Sequence, residues 1–210
     1  MASLCDRFLD DYASHHCKPS TRKGYEIVIR RCICPKLGPR RILDVSRADI
    51  VGFHHDLRNR PYMANRAVSI LSKMFNLAED WGLRTDGTNP ARRIQKFKEE
   101  EKKRYLSDDE QSALGCVLAN ALESGDESPF AVAAIFLLLL TGCRLGEILT
   151  LRWDYVAPHH LELPDSKTGR RRIPLPPEAR EILMSLPHVE GNPFVIVGEV
   201  EGQHLINLQK

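Results

Sequence analysis

The chain has 210 residues, of which 42% are hydrophobic and 28% are charged. This length allows one large domain or two small ones, and the composition excludes disordered and fibrous proteins. The longest apolar run, residues 131–140, is about half as long as the roughly 20 residues that a membrane helix needs, so no membrane partner is expected. The N-terminus has no basic start followed by an apolar stretch, which predicts no secretory signal and therefore a cytoplasmic location.

The positive charge of the chain is concentrated in its first half. Residues 1–104 contain 22 Lys and Arg against 13 Asp and Glu, whereas residues 105–210 contain 8 against 15. This distribution predicts that the first half meets a polyanion, and nucleic acid is favoured because no amphipathic basic membrane anchor is present. On charge alone, a solvated basic surface without a partner is the alternative.

Apolar residues at helical spacing predict four helices in the first half, which is therefore a small helical bundle. Ser20 and Ser46 are the predicted caps of the second and third helices. Pro35 and Gly38 are predicted to end the second helix, and Gly82 the fourth. The apolar positions of the four helices are, in chain order, Leu4, Phe8 and Tyr12; Tyr25, Val28 or Ile29, and Cys32; Ile50, Phe53 and Leu57; and Ala64, Val68, Leu71, Phe75 and Ala78.

Helices continue in the second half after a break. Residues 83–104 have no apolar periodicity and contain a basic run, which predicts a basic linker. A capping box at residues 107–110 opens a helix toward Leu122. Residues 130–140 are predicted to form a buried helix, and residues 144–151 a further short helical stretch.

The period of the sequence changes after this stretch. Residues 160–163 and 172–175 flank a turn-rich segment and predict an antiparallel β-hairpin. A helix from Pro176 to Leu186 and a short apolar strand at residues 194–197 follow. Six cysteines lack the paired spacing of a disulfide framework or a zinc knuckle, so reduced thiols and no metal site are expected.

Two motifs resemble those of the tyrosine recombinases, the phage-type integrases. Residues 141–153 read TGCRLGEILTLRW and resemble the motif around the family's first catalytic arginine, and residues 166–175, SKTGRRRIPL, are similar to its lysine-bearing hairpin. The resemblance spans nearly the whole chain and implies a mainly α fold. It places a helical core-binding, DNA-binding domain at residues 1–82 and a basic linker at 83–104. The front part of an α+β catalytic domain with a small antiparallel β-hairpin is then expected at residues 105–210.

The resemblance assigns catalytic roles to Arg144 and Lys167. Cleavage of a phosphodiester places negative charge on its non-bridging oxygens, and a planar guanidinium can hold two of them. Glu147 follows Arg144 by one helical turn and either orients it or forms a simple helix ion pair. The resemblance implies that Lys167 is the general acid that protonates the leaving 5′ oxygen, whereas a solvated basic turn is the alternative.

The candidate DNA contacts are polar and basic side chains opposite the apolar stripe of the fourth helix, near the start of the second helix and on the hairpin. They are Asn65, Arg66, Ser69 and Lys73, then Arg22 and Lys23, and finally Arg170 and Arg171. The resemblance implies double-stranded DNA as the partner, with further recombinase copies assembled on it. It implies no metal or other cofactor, because the tyrosine ester conserves the phosphodiester energy.

The later motifs of the family do not follow the hairpin in residues 1–210. A His-x-x-Arg motif, a further His or Trp and the tyrosine nucleophile are expected there in that order. Residues 55–58 also have the sequence His-x-x-Arg, but they precede Arg144 and are therefore interpreted as a coincidental match. All five tyrosines precede the hairpin. We therefore expect that the chain is truncated and does not cleave DNA alone, since no covalent phosphotyrosyl intermediate can form.

Three functions are compatible with these features. The first is a site-specific DNA recombination or integration protein with an incomplete catalytic domain. The second is a non-catalytic DNA-binding protein that occupies recombination sites or docks on a full-length recombinase, and the third is a helical interaction protein without a nucleic-acid role. Exposed apolar surface is expected around residues 130–140, because these residues need helices that this chain does not supply.

Overall fold

The structure, a computed structural model, describes residues 1–101, 103–166, 169–206 and 208. The chain divides into two compact units, Met1–Lys103 and Arg104–Lys210. Its α-helices are α1 (Ala2–Arg7), α2 (Ser14–His16), α3 (Pro19–Val28), α4 (Cys34–Leu37), α5 (Arg47–Asp56), α6 (Pro61–Asp80), α7 (Asp108–Ser124), α8 (Pro129–Thr141), α9 (Leu145–Leu149) and α10 (Pro177–Ser185). Strands β1 (His160–Ser166) and β2 (Gly169–Pro174) form an antiparallel hairpin. The predicted mainly α fold with a small antiparallel hairpin is confirmed.

The first unit is a helical bundle around one apolar core. π-Helical turns at Phe8–Ala13 and Ile29–Ile33 join α1 to α2 and α3 to α4, so each pair is one continuous helical segment. Residues three or four positions apart lie on one face of a helix, which is why the predicted apolar stripes become the core. Its fully buried large side chains are Leu4, Phe8, Ile29, Ile33, Ile50, Leu71, Met74 and Phe75.

Two predicted helix boundaries of the first unit are wrong. α3 begins at Pro19 and is not capped by Ser20, because a proline suits the first helical position, where the N–H has no required partner. Pro35 does not end the second helical segment, which continues through α4 to Leu37. The cap of α5 is confirmed: the Ser46 hydroxyl accepts from the backbone N–H of Asp49.

The segment that the sequence predicts as a linker packs on the first unit over most of its length. Leu83, Ala91 and Ile94 contact the apolar core. The side-chain amide of Asn89 donates to the backbone oxygen of Ser72 at 2.8 Å. The described part of this segment contains neither helix nor strand, in agreement with its missing periodicity. Periodicity alone did not reveal the packing, because an irregular segment buries apolar residues at irregular spacing.

The second unit has its own core, formed by α8, α9, the hairpin, α10 and the chain that follows. Ser107 caps α7 through the predicted capping box with Glu110. Gly142 ends α8 with φ +61°, a left-handed conformation that glycine adopts without strain. The core residues include Leu137, Ile148, Leu151, Leu161, Ala179, Val195 and Ile196.

The apolar run at residues 194–197 is buried at Val195 and Ile196 and half-buried at its two ends, but it is not the predicted strand. Phe194 forms a single bridge with Arg152, and Val197 forms one with His204. An apolar run indicates burial, and it becomes a strand only where a partner of matching length pairs with it. The hairpin strands, in contrast, extend further toward the turn than residues 160–163 and 172–175.

α7 and α8 expose several apolar side chains. Leu118 is the buried residue of α7, while Val117 and Leu122 of that helix and Leu139 and Leu140 of α8 are exposed. The predicted buried helix at residues 130–140 is thus exposed at its C-terminal end, where the expected exposed apolar surface is present. In the described part of the chain, no helix has the length and apolar character needed to cross a membrane.

Candidate phosphate-binding site and basic surface

Arg144 lies at the N-terminus of α9, two residues after the glycine that ends α8. Ile148 and Leu149 of α9 are buried in the second core and hold the helix in place. The Arg144 side chain is 45% exposed. A fixed backbone therefore presents a guanidinium that is open to solvent.

Glu147 binds Arg144 at two points. Its Oε2 accepts from the backbone N–H of Arg144 at 2.9 Å, and its Oε1 accepts from Nη1 of Arg144 at 2.8 Å. Burial raises the pKa of this carboxyl, but the hydrogen bonds from Arg144 and the charges of Arg144 and Arg171 outweigh burial and hold the pKa below its ordinary value. The side chain, 10% exposed, is thus an ionised carboxylate at neutral pH that holds both the main chain and the guanidinium of Arg144.

Arg171 of β2 reaches the same carboxylate. Its Nη1 lies 3.5 Å from Oε1 of Glu147. Arg171 pairs across the hairpin with Leu163, which is buried, as is Ile173 two residues further on. Alternate residues of a strand point to opposite faces, so Arg171 lies on the core-facing side. The two-residue period of a strand would have placed Arg171 on the same face as Ile173, and Arg170 and Arg172 on the opposite face.

Arg170 and Arg172 lie on the other face of the hairpin and share one carboxylate. Glu162 accepts from Nη2 of Arg172 at 2.8 Å and from Nη2 of Arg170 at 3.2 Å, and Nε2 of His160 lies 3.1 Å from its Oε1. The hydrogen bonds from His160 and Arg172 lower the pKa of the Glu162 carboxyl to about 2. Arg170 is exposed, as expected of a DNA contact. Arg172, which the sequence analysis did not single out, is exposed on the same face of the hairpin.

We expect Arg172→Gln to raise the pKa of Glu162 from about 2 toward the ordinary value of 4.5, because the carboxylate loses hydrogen bonds and a positive charge. Since folding lowers this pKa, ionised Glu162 stabilises the hairpin above about pH 4.5, and its contribution is lost as the pH falls toward 2. A ¹³C NMR titration of the glutamate carboxyls measures the shift. Arg180→Gln is the control, and an equal shift in both variants would contradict the assignment.

Lys167 lies outside the described residues, as does Thr168. The structure describes the ends of the strands on either side, where Ser166 pairs with Gly169. The general-acid role of Lys167 stays a prediction from the motif.

An open groove of about 640 Å³ lies beside Arg144. Arg152 brings a second guanidinium to it, and its Nε donates to Asp154 at 2.9 Å. His204 also lines the groove, with Nδ1 2.9 Å from the backbone oxygen of Leu205. Two guanidiniums on one groove suit an anionic ligand. Sequence reasoning did not single out Arg152, although it lies within the motif of residues 141–153, and it missed His204, which no local spacing connects with Arg144.

Five of the six predicted DNA contacts of the first unit are exposed. The guanidinium of Arg66 on α6 packs against Gly24 of α3. A Cβ atom at position 24 would lie only 2.4 Å from this guanidinium, so Gly24 leaves room for Arg66 where α3 and α6 are in contact. Nζ of Lys73 lies 4.8 Å from the ring centroid of Tyr12. The exposed residues are Arg22 and Lys23 on α3 and Arg66, Ser69 and Lys73 on α6.

Asn65 is the exception, and its predicted role as a DNA contact is corrected. It is buried, and its amide is used inside the unit. Nδ2 donates to the backbone oxygen of Phe97 at 2.9 Å and to Oε1 of Glu99 at 2.7 Å. Oδ1 accepts from the backbone N–H of Phe97 at 2.9 Å and lies 3.0 Å from Nε2 of His54. Residues distant in sequence cover this position, which its place on the helix could not show.

The thiols and acidic groups do not suggest other chemistry. Among the described residues, no group of three or more His, Cys, Asp or Glu side chains is arranged to hold a metal ion. Burial raises the pKa of the Cys143 thiol next to Arg144, and burial together with Cys34 raises that of Cys5. These two thiols are therefore protonated at neutral pH.

Residues 1–58 match the family described as phage integrase, N-terminal SAM-like domain. The chain is 34% identical, over 215 aligned residues, to a shufflon-specific DNA recombinase of Escherichia coli. This alignment covers 92% of the chain and 52% of the recombinase, so the chain spans about half the length of this curated relative.

The fold is similar to that of lambda integrase in two crystal structures. One is a dimer of residues 75–356 bound to a COC′ core site, with a TM-score of 0.75, 22% identity, and coverage of 97% of this chain and 75% of that chain. The other is a tetramer bound to a Holliday junction, with a TM-score of 0.76 and 22% identity. This match covers 97% of the present chain and 61% of the integrase chain. At this identity, the similarity establishes the fold.

Proposed function

We propose that this chain, which belongs to the tyrosine recombinase family, binds double-stranded DNA as part of site-specific recombination or integration. The observation that carries the proposal is the arrangement at Arg144. The family's arginine motif coincides with a guanidinium that the largely buried carboxylate of Glu147 holds in place, beside an open groove with a second guanidinium.

Arg144 is proposed to bind the non-bridging oxygens of the DNA phosphate at which the strand is exchanged. A guanidinium has five N–H donors, and the contact with Glu147 uses one of them. The remaining donors and the exposed side chain suit a bidentate contact with phosphate. Glu147 would orient Arg144, Arg171 would join the hairpin to this site through the same carboxylate, and Lys167 would act as general acid.

The two units are proposed to have different functions. Residues 1–82 form the DNA-binding domain, residues 83–104 join it to the catalytic part, and residues 105–210 form the front part of the catalytic domain. The exposed basic residues of α3 and α6, together with Arg170 on the hairpin, would contact DNA phosphates. Because lambda integrase binds DNA as a dimer and as a tetramer in the two crystal structures, further copies of this chain's protein are proposed partners on DNA. The proposed location is the cytoplasm.

The dependence of DNA affinity on salt tests the proposal. The affinity of the chain for a fluorescein-labelled linear duplex is measured by fluorescence anisotropy between about 50 and 200 mM salt. Log affinity should fall linearly with log salt, with a slope of about −0.9 for each phosphate contact, or about −3 to −4 if four basic residues take part. Replacing Arg22, Lys23, Arg66 and Lys73 by Gln should make the slope less negative by up to about 3.6. No binding, or binding without salt dependence, would favour a helical interaction protein.

A further inference from the structure

A basic segment outside the recombinase motifs lies on the surface of the first unit. Residues 91–98, named here the basic strap, contain four cations and no acid. Ala91, Ile94 and Phe97, three positions apart, are buried or half-buried, whereas the residues between them are exposed. The exposed cations of the basic strap are Arg92, Arg93, Lys96 and Lys98.

One end of the basic strap is held by Asn65 and His54. The Asn65 side chain pairs with both backbone polar groups of Phe97, at 2.9 Å each. An amide oxygen only accepts hydrogen bonds, so His54 donates to Oδ1 of Asn65 through its Nε2–H. The His54 ring also stacks on the Phe97 ring, with centroids 4.0 Å apart and planes at 14°. Phe97 is thus fixed through its main chain and its side chain.

The other end is held by Arg47, the first residue of α5. Its Nη1 donates to the backbone oxygen of Arg92 at 2.6 Å, and its Nη2 donates to that of Arg93 at 3.0 Å. Arg93 has φ +56°, a left-handed conformation that is uncommon for a residue with a Cβ. Such a conformation persists where the surrounding structure fixes it, and the two hydrogen bonds from the Arg47 guanidinium restrain the backbone here.

The cations of the basic strap are available to an external anion. In the part of the chain that the structure describes, none of the four side chains has an ion-pair partner, although many other cations of the first unit do. Lys96 also lines a shallow depression of about 340 Å³ together with Arg66 and Ser69. The basic strap therefore continues the basic surface of α6.

We propose that the basic strap is a preformed binding surface for the phosphate backbone of DNA, and that Asn65 is the positioning residue that keeps it in place. This inference rests on the proposed function, because it takes DNA as the ligand. A basic linker without fixed structure would lose backbone entropy on binding, whereas the basic strap is already ordered. Acidic residues 99–101 mark its end, and the side chain of the first of them, Glu99, is held by Asn65.

A variant that lacks three charges of the basic strap tests the surface. Arg92→Gln, Lys96→Gln and Lys98→Gln are combined in the full chain, and binding to a linear duplex is measured between about 50 and 200 mM salt. We expect a slope less negative by about 0.9 for each DNA phosphate that the variant no longer neutralises, or up to about 2.7 in total. The control variant replaces three exposed cations of the first unit outside the basic strap by Gln: Arg31, Arg41 and Arg58.

Asn65→Ala tests the positioning role, because it leaves every charge of the basic strap in place. If Asn65 positions the basic strap, this variant should lose a similar part of the slope, and adding the triple substitution to it should change the slope little further. A residue that only supports folding would lower stability without changing the slope of the folded protein. Fluorescence of Trp81 verifies that the variant is folded, and the triple variant tests the surface if it is not.

The outcomes separate this inference from the proposed function. Wild-type binding without salt dependence, or no binding, would overturn the proposed function and the inference with it. Wild-type binding with a steep slope, combined with equal slopes for the triple variant and its control, would overturn the inference and leave the proposed function standing.

Discussion

We expect Phe75→Ala to lower the free energy of unfolding of the first unit by about 3–5 kcal/mol, because it removes a large aromatic side chain from a tightly packed core. Phe75 is fully buried in α6 next to Met74 and Leu71. The guanidinium of Arg84 lies 5.5 Å from its ring centroid, so the substitution also removes a cation–π contact from the segment after α6.

The two tryptophans allow this effect to be measured on one unit. Trp81 belongs to the first unit and Trp153 to the second. Urea denaturation of Phe75→Ala in a Trp153→Phe background, followed by fluorescence, reports the first unit. Leu43→Ala, at a side chain that is 59% exposed, is the control and should change stability by less than about 0.5 kcal/mol. Similar midpoints for the two variants would contradict the assignment of Phe75 to the core.

We expect Glu147→Gln to lower the free energy of unfolding of the second unit by about 1–3 kcal/mol at pH 7, because hydrogen bonds to a charged group are lost. The amide keeps the shape of the side chain but leaves Arg144 and Arg171 beside a neutral partner. The two guanidiniums are partly exposed, so solvent takes over part of the lost interaction and the effect stays below that of a fully buried pair.

This substitution should also change the response of the second unit to pH. Folding lowers the pKa of Glu147, so its ionised form stabilises the second unit above the ordinary carboxyl pKa, and the contribution is lost as the pH falls through the lowered value. Glu147→Gln should therefore lose less stability than the wild type between pH 6 and 3. Trp153 fluorescence in a Trp81→Phe background measures this difference.

Glu181→Gln, at an exposed position of α10, is the matched control for Glu147→Gln. It should leave both the stability at pH 7 and its pH dependence close to those of the wild type. If Glu147→Gln behaves like this control, Glu147 does not hold Arg144, and the proposed orientation of the phosphate-binding guanidinium has to be abandoned.

The hairpin arginines show how much of their environment residue spacing can predict. From the sequence, Arg170 and Arg171 were both expected to contact DNA from the hairpin. In the structure, Arg170 and Arg172 bind Glu162 on one face, whereas Arg171 binds Glu147 on the other. The two-residue period of a strand predicts this alternation, but the partner of each arginine follows only from the packing of the hairpin on α9.

Features that depend on neighbours within one or two helical turns could be predicted from the order of the residues alone. These include the apolar stripes that became the two cores, the cap at Ser46, the capping box at Ser107, and the glycine that ends α8 before Arg144. The recombinase motifs belong to the same class, because each is a short continuous stretch. Such features have a characteristic spacing, and spacing is visible in a sequence.

Contacts between residues that are distant in sequence could not be predicted in this way and became visible in the folded chain. Asn65 has the spacing of a surface residue on α6, yet it is buried because Phe97, 32 residues later, lies over it. Arg171 meets Glu147, and the supposed linker becomes a fixed basic strap, for the same reason. A contact between distant residues depends on how all the elements of a unit pack around its core, and no local spacing encodes that packing.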